Sequence, residues 1–451
     1  MKRCFLPIAV FVLSNVFALS QNVAFNAVVQ GYGQLESVLG ERWREIDSLV
    51  VSGPVNTADF KIMWKCAFEG RLTVLNLEHA QVEGRKIPDS ALWDADRQFW
   101  ETDGLVYLGI RRIMLPDDIE EIGANAFVHT KIERINIPSS IRKFGVCSFK
   151  DCHWLELDTL VIPEGVTKIP GQCFYQCSSI RSLRLPATVK TIGDYAFGET
   201  GIEECEMVAG LDSIGISAFQ ASGLGMVEIP ETCTRLGIFC FAYNPELKEI
   251  RVPCGVTRLP DAFAYCCTGL KRADIPEGVT EIGNDAFNMC ALDSVTFPAS
   301  LKYIGSGACG RWDSVQKIYS CSPIPSGCGK DPFLGVRSDV PVYVPAGTAQ
   351  LYRSANGWNH FTEFIETEGL PSAGITPASG MLTGYGYKVV RSAGNIVVTV
   401  PERVNLPVVC RIYSFDGKIV RNMVLTETCT EIPFHGRQGI VRIGDYSCKV
   451  M

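Results

Sequence analysis

In the stretch Ile132-Glu-Arg-Ile135-Asn-Ile137 the last apolar residues alternate with polar ones, which is the period of a strand with one buried face. Pro138 follows at once, and with no N–H to give to a ladder it marks the strand's end. The same signature recurs at Leu115-Pro116, Ile162-Pro163, Leu185-Pro186, Ile229-Pro230, Val252-Pro253, Ile275-Pro276 and Phe297-Pro298, with Met207-Val208 filling the single gap. Spacings between these nine anchors are 22, 25, 23, 22, 22, 23, 23 and 22 residues. So regular a series is an internal repeat.

Each unit carries more than its anchor. Seven residues past the anchor hydrophobe stands another apolar residue, usually followed by glycine: Ile122-Gly123, Phe144-Gly145, Ile192-Gly193, Ile214-Gly215, Leu236-Gly237, Ile282-Gly283 and Ile304-Gly305, with Pro170 and Pro260 in two units. These glycines suit turns that need positive φ. A small residue and phenylalanine come next: Ala126-Phe127, Ser148-Phe149, Cys173-Phe174, Ala196-Phe197, Ala218-Phe219, Cys240-Phe241, Ala262-Phe263 and Ala286-Phe287. Ala308-Cys309 breaks the series and suggests that the stack is ending. A unit of about 23 residues cannot bury an apolar face alone, whereas stacked units can. The predicted fold is a repeat solenoid, a parallel β stack with each Phe pointing inward onto the next; nine strands about 4.8 Å apart span roughly 40 Å.

In length and in its L-x-x-L-x-L core the unit resembles a leucine-rich repeat. It departs from the ordinary form at the Asn ladder position, here small: Ser140, Gly165, Thr188, Gly210, Thr232, Gly255, Gly278 and Ser300. The full pattern, Ile135-Asn-Ile-Pro-Ser-Ser-Ile141 then Gly145 and Phe149, resembles the BspA-type leucine-rich repeats of bacterial surface proteins over residues 110–320. More weakly, Leu49 to Asn56 and Leu72 to Ala80 resemble the same family's leading segment, which assigns 21–109 to an N-terminal cap. Tyr343-Val-Pro-Ala-Gly347 through Tyr352 and Trp358 resembles its closing turn, which assigns 321–366 to a C-terminal cap.

The ends read differently. Met1, Lys2 and Arg3 make a positive start, Cys4 to Leu19 is almost wholly apolar, and Ala18-Leu19-Ser20 is a small-residue cleavage site; residues 1–20 are thus expected to be a secretory signal peptide. The apolar run of about 16 residues is short of the roughly 20 that a spanning helix needs. Residues 367–383, rich in Gly, Ser, Thr and Pro, read as a linker. Beyond it Ile396 to Val400, Val408 to Phe415 and Lys418 to Val424 read as strands, with Asp416-Gly417 as a hairpin turn, so 384–451 is expected to form a small antiparallel β-sandwich. Arg411-Ile-Tyr-Ser-Phe-Asp-Gly-Lys-Ile-Val420, Gly439-Ile-Val-Arg-Ile-Gly444 and Lys449-Val450 resemble the C-terminal sorting domain of the type IX secretion system. That resemblance implies export across the outer membrane and attachment outside it. Two departures are Val441 in place of the usual Tyr and the stop at Met451 without trailing basic residues.

The net charge is only −7 and the Lys and Arg residues form no basic run, so nucleic acid is not an expected partner. Nineteen cysteines invite a metal or disulfide reading. Cys152, Cys177, Cys266 and Cys290, however, each stand three residues after a repeat Phe, and Cys173 and Cys240 stand just before one. Small buried thiols account for them. Neighbouring turns could bridge Cys152 with Cys177 or Cys266 with Cys290, and Cys321 with Cys328, off the repeat, is the better disulfide candidate. Cys173-x-x-x-Cys177 has no second pair to complete a zinc site. His79, His129, His153, His360 and His435 lie far apart and none belongs to H-E-x-x-H or G-x-S-x-G. No enzyme, metal or cofactor is expected.

What remains is binding. The family resemblance implies a secreted or cell-surface protein that adheres to host matrix or to other cells by engaging their proteins or glycans; capture of a peptide or glycan for an outer-membrane complex is the alternative. Residues one and three before each anchor should face outward, because strand side chains alternate. The candidate ligand-binding residues on that face are Arg112, Arg134, Asn136, Arg184, Glu204, Glu206, Glu228, Glu249, Arg251, Arg272 and Asp274. The expected face starts cationic, turns acidic from Glu204 to Glu228 and ends mixed.

Overall fold

The computed structural model describes residues 22–94 and 106–371, then seven strands between Lys388 and Val450. The expected signal peptide, most of the linker and the Asp416-Gly417 turn lie outside the described residues. Over residues 22–94 and 106–371 the chain winds as a parallel β-solenoid. Fifteen strands, from Ala24–Val28 to Phe364–Thr367, form a first column of four successive parallel sheets. Each repeat unit adds one anchor strand to it, in register: Ser182 opposes Thr159 and Glu204, and Arg184 opposes Val161 and Glu206. A second column of two-residue strands runs beside it, pairing Lys168 with Thr191, Thr191 with Ser213 and Ser213 with Arg235.

Near the start a helix, Thr57–Phe68, takes the place of the second strand between Ser48–Val55 and Val74–Val82. Asn56 caps it by accepting the Ala58 N–H, and Asp59 accepts the Asn56 N–H in return. Asp59 is buried and also accepts from the Gly33 and Leu35 N–H groups, which ties the first loop to the helix.

The third side of each turn carries the phenylalanines. Phe149, Phe174, Phe197, Phe219 and Phe241 are fully buried and stacked in sequence, with ring centroids 5.2 to 5.8 Å apart. The expected inward column is present. Its backbone is unusual: residues two before and two after the aromatic adopt positive φ, as at Tyr195 (56°) and Glu199 (54°) around Phe197. Such conformations cost roughly 1–2 kcal/mol for a residue with a Cβ. They are repaid by a three-bond ladder to the next turn, here Tyr195, Phe197 and Glu199 N–H groups to Ile216, Ala218 and Gln220 carbonyls.

The repeat glycines serve a different purpose from the one expected. Gly123, Gly145, Gly193, Gly215, Gly237, Gly283 and Gly305 all lack positive φ. They are needed for close approach: a Cβ built on Gly215 would lie 2.6 Å from the Asp194 nitrogen and 2.7 Å from the Gly193 carbonyl carbon. Each turn packs its glycine directly on the backbone of the turn before.

Three further expectations are corrected. Phe263 does not occupy the repeat's aromatic register. Ala264 N–H bonds the Ala286 carbonyl and Phe241 N–H bonds the Phe263 carbonyl, so Ala264 takes the Phe position and Phe263 the small-residue position. The unit is one residue shorter between its proline and its Phe, and the ring responds by meeting Phe241 and Phe287 edge-on at 87° and 84°. Cys267, not Cys266, therefore aligns with Cys152, Cys177 and Cys290. Nor does the stack end at Cys309: Cys309 N–H bonds the Pro332 carbonyl, and Phe333 restores the buried aromatic one turn later.

The position three residues past the aromatic proves to be a hydrogen-bond ladder more than a slot for apolar fill. Thiols of Cys152, Cys177, Cys267 and Cys290 each donate to the carbonyl of the preceding turn's aromatic-position residue at 3.1 to 3.2 Å. Thr130, Thr200 and Ser222 place hydroxyls in the same row. Asn244 donates to the Phe219 and Phe241 carbonyls and accepts from the Ser222 and Gly223 N–H groups. The expected disulfide candidates are not bridged: the Cys152, Cys177, Cys266 and Cys290 side chains are thiols, and the Cys321 and Cys328 thiols donate to the Pro371 and Ser326 carbonyls.

Beyond the solenoid the described strands form two antiparallel sheets. One orders Lys388–Ser392, Asn395–Thr399 and Cys429–Pro433, and the other Ile419–Leu425, Val408–Tyr413, Gly439–Ile443 and Tyr446–Val450. Val398 and Ile432 of the first and Cys410 and Leu425 of the second are buried.

Candidate binding surfaces

The first column positions the sequence-predicted residues as two rows on one face. Ile113, Ile135, Leu160, Leu183, Val227 and Ile250 are buried between them, while Arg112, Arg134, Arg184, Glu204, Glu206 and Glu228 are exposed. Glu249, Arg251, Arg272 and Asp274 are half-buried. Asn136 differs from the rest, because its side chain accepts from the Leu115 N–H at 2.7 Å and donates to the Leu115 carbonyl at 2.9 Å. It clamps two turns together, and its polar atoms are spent on that task.

Charge divides this face in two. In the later half Arg251 meets Glu249 at 2.9 Å and Glu228 at 3.9 Å, and Arg272 meets Asp274 at 3.3 Å. These charges largely satisfy one another. In the earlier half Arg112, Arg134, Arg184, Glu204 and Glu206 form no ion pair among the described residues. Met114 and Val161 stand exposed among them, 45 and 53 % accessible, so the open half offers charge and apolar surface together.

The second column holds a site that pattern reading did not single out. An open groove of about 650 Å³ runs along it across five turns, lined by the second strands from Lys168 to Arg258 and by the glycine turns. Lys168 and Arg235 make no ion pair among the described residues, whereas Arg258 is held by Asp261 at 3.0 Å and Glu281 at 2.9 Å. Asp194 is partly spent, its carboxylate accepting the Ile216 N–H at 2.8 Å. The strands are only two residues long, so their amphipathic period is too short to be seen along the chain.

A polar and aromatic cluster was missed as well. His129 and Asp151 are buried and 3.2 Å apart, and the Tyr107 hydroxyl lies 2.9 Å from His153 Nε2 with its ring edge-on to exposed Trp154. Burial, the largest influence on both, pushes the His129 imidazole down and the Asp151 carboxyl up. Far apart in sequence, these residues meet because His129 and Asp151 each stand two past a repeat Phe; comparing equivalent repeat positions is the signal that finds them. Among the described residues no three His, Cys, Asp or Glu side chains come together as a metal site would require.

The profile of the BspA type leucine rich repeat region matches six copies, within residues 107–156, 153–266 and 190–315. No curated protein matches the chain. Among solved structures, a leucine-rich repeat protein from Bacteroides ovatus ATCC 8483 aligns at 19 % identity and a TM-score of 0.53, covering 77 % of this chain and 92 % of that one. A leucine rich cell surface protein from Faecalibacterium prausnitzii A2-165 aligns at 20 % identity, covering 63 % of this chain and 83 % of that one with a TM-score of 0.37. The first likeness establishes the solenoid as a leucine-rich-repeat fold over most of its length. Over residues 107–315 the stack is thus similar to the BspA type leucine rich repeat region.

Proposed function

We propose that this protein is exported and acts at the bacterial cell surface as a non-enzymatic adhesin, engaging proteins or glycans of host matrix or of other cells. The observation that carries the reading is the open half of the first column. There Arg112, Arg134, Arg184, Glu204 and Glu206, without ion pairs among the described residues and interleaved with exposed Met114 and Val161, lie on two successive sheets of the column, in register within each. A stacked sheet fixes the backbone beneath such side chains in advance, so binding need order only the side chains themselves. Residues 1–20 serve as the export signal. The two C-terminal sheets pack face to face as a small sandwich that acts as a sorting and attachment domain on the outer membrane's exterior, in line with their sequence resemblance.

The test is binding of the purified chain to a panel of matrix proteins, host cells and glycans at low salt, where charge effects are largest. Two double variants accompany it, Arg134→Glu with Arg184→Glu and Glu204→Lys with Glu206→Lys. At exposed positions these should change stability by less than about 0.5 kcal/mol while weakening capture. Capture unaltered by both pairs would remove this face from the reading, and no capture at all would remove adhesion. Deleting 384–451 should leave the protein folded but unexposed at the surface.

A further inference from the structure

We propose that the groove along the second column is a separate binding site, and that its occupant is an extended acidic peptide segment laid along the solenoid axis. The inference stands on the groove alone and does not depend on the first column's role. The chain is acidic overall, with a net charge of −7, yet the groove is cationic on balance: Lys168, Arg235 and Arg258 line it against the single carboxylate of Asp194, which the Ile216 N–H engages, and Lys168 and Arg235 make no ion pair among the described residues. Between them lie Thr191 and Ser213, and Thr234 and Thr257 line the same groove. The hydroxyls of these four residues hydrogen-bond nothing among the described residues, although the hydroxyls of Thr130, Thr200 and Ser222 on the third side of the turn are all spent on carbonyls. Unspent donors and acceptors on a rigid floor suit the amides of an extended chain.

The spacing selects the occupant. Lys168 and Arg235 are three strand intervals apart through Thr191 and Ser213, which at about 4.8 Å each is roughly 14 Å. An extended peptide advances about 3.4 Å per residue and returns to the same face every second residue. Carboxylates at i and i+4 of one strand therefore face the groove together and reach both cations. Ile216, lining the groove with 37 % of its surface exposed, lies where an apolar side chain between those acids would rest. No tryptophan, tyrosine or phenylalanine lines the groove, so it lacks the flat aromatic platform on which a sugar ring stacks. This favours a peptide over an acidic glycan.

The experiment uses the full chain and a fluorescein-labelled ten-residue peptide of Ser, Thr and Val with Glu at i and i+4, followed by fluorescence anisotropy at low salt. Controls are the Glu→Gln peptide, the same composition with the acids adjacent, and a sulfated oligosaccharide of equal charge. The expected result is saturable binding that weakens about tenfold for the adjacent-acid peptide and more for the neutral one. Lys168→Glu with Arg235→Glu should abolish it, Lys168→Gln with Arg235→Gln should weaken it, and Arg134→Glu with Arg184→Glu should leave it intact. No binding of the spaced peptide, equal binding of the adjacent-acid peptide, tighter binding of the oligosaccharide, or loss only with the first-column variant would each overturn the proposal. The last outcome would also show the first column active while the groove is not.

Discussion

Substituting one glycine and creating another tests how a turn is built. Gly215 has an ordinary φ, yet an added Cβ would lie 2.6 Å from the Asp194 nitrogen and 2.7 Å from the Gly193 carbonyl carbon. Both are backbone atoms of the preceding turn and cannot rotate away. Gly215→Ala must push two turns apart, and such overpacking costs about 1–3 kcal/mol. Ala221 is the converse: its φ is 50°, and its methyl group has no polar partner to lose. Ala221→Gly removes about 1–2 kcal/mol of left-handed strain and gives back about 0.5–1 kcal/mol of added freedom in the unfolded chain, a net gain of about 0.5–1 kcal/mol. Urea unfolding followed by circular dichroism reads both variants against the parent. If Gly215→Ala left the midpoint unmoved, or if Ala221→Gly lowered it, then close approach would not be the reason for the repeat glycines and the positive-φ positions would not be strained.

Two further outcomes follow from the core. Phe197 is fully buried between Phe174 and Phe219, with ring centroids 5.7 and 5.4 Å away, so Phe197→Ala should cost about 3–5 kcal/mol; an unchanged thermal transition would refute the assigned inward face. The second outcome concerns pH. Burial pushes the Cys152 and Cys267 thiols from about 9 up to about 12. A folded value above the unfolded one means stability that is complete below about pH 9 and is lost as pH rises towards 12. By pH 10 the loss is on the order of 1 kcal/mol per thiol. Cys152→Ser with Cys267→Ser keeps a donor for the Phe127 and Phe241 carbonyls and does not titrate in this range, so its stability should fall less between pH 8 and pH 10; equal losses would show that the thiols do not govern the alkaline limit.

Much of the architecture could be read along the chain. The anchor strands, their outward rows and the Phe column rest on alternation and on a period near 23 residues. Both are properties of covalent geometry and burial, and they need no knowledge of neighbours. The same logic placed Arg112, Arg134, Arg184, Glu204 and Glu206 on one open face. It failed wherever the partner is another turn. Asn136 reads as a surface side chain until Leu115 is beside it. Glu228 reads as free surface charge until the register sets Arg251 of the next turn opposite it. Ala262-Phe263 reads as one more copy of its motif until its distance from Pro253 is counted, and the hydrogen bonds to neighbouring turns show that Ala264 holds the aromatic position instead.

The glycines and the groove show the same limit most plainly. A glycine that recurs in each repeat suggests positive φ when its own backbone is the only thing in view. That Gly215 instead makes room for Asp194 depends on a distance between residues a whole turn apart. Strands of two residues are likewise too short for alternation to show, so Lys168, Thr191, Ser213 and Arg235, though each stands six residues past its anchor, do not read as one face along the chain. Stacking brings them to one wall about 4.8 Å apart, because each turn takes its height and register from the hydrogen bonds of the one before. Local periodicity thus dictates which way a side chain points, and the contact between turns dictates what it meets there.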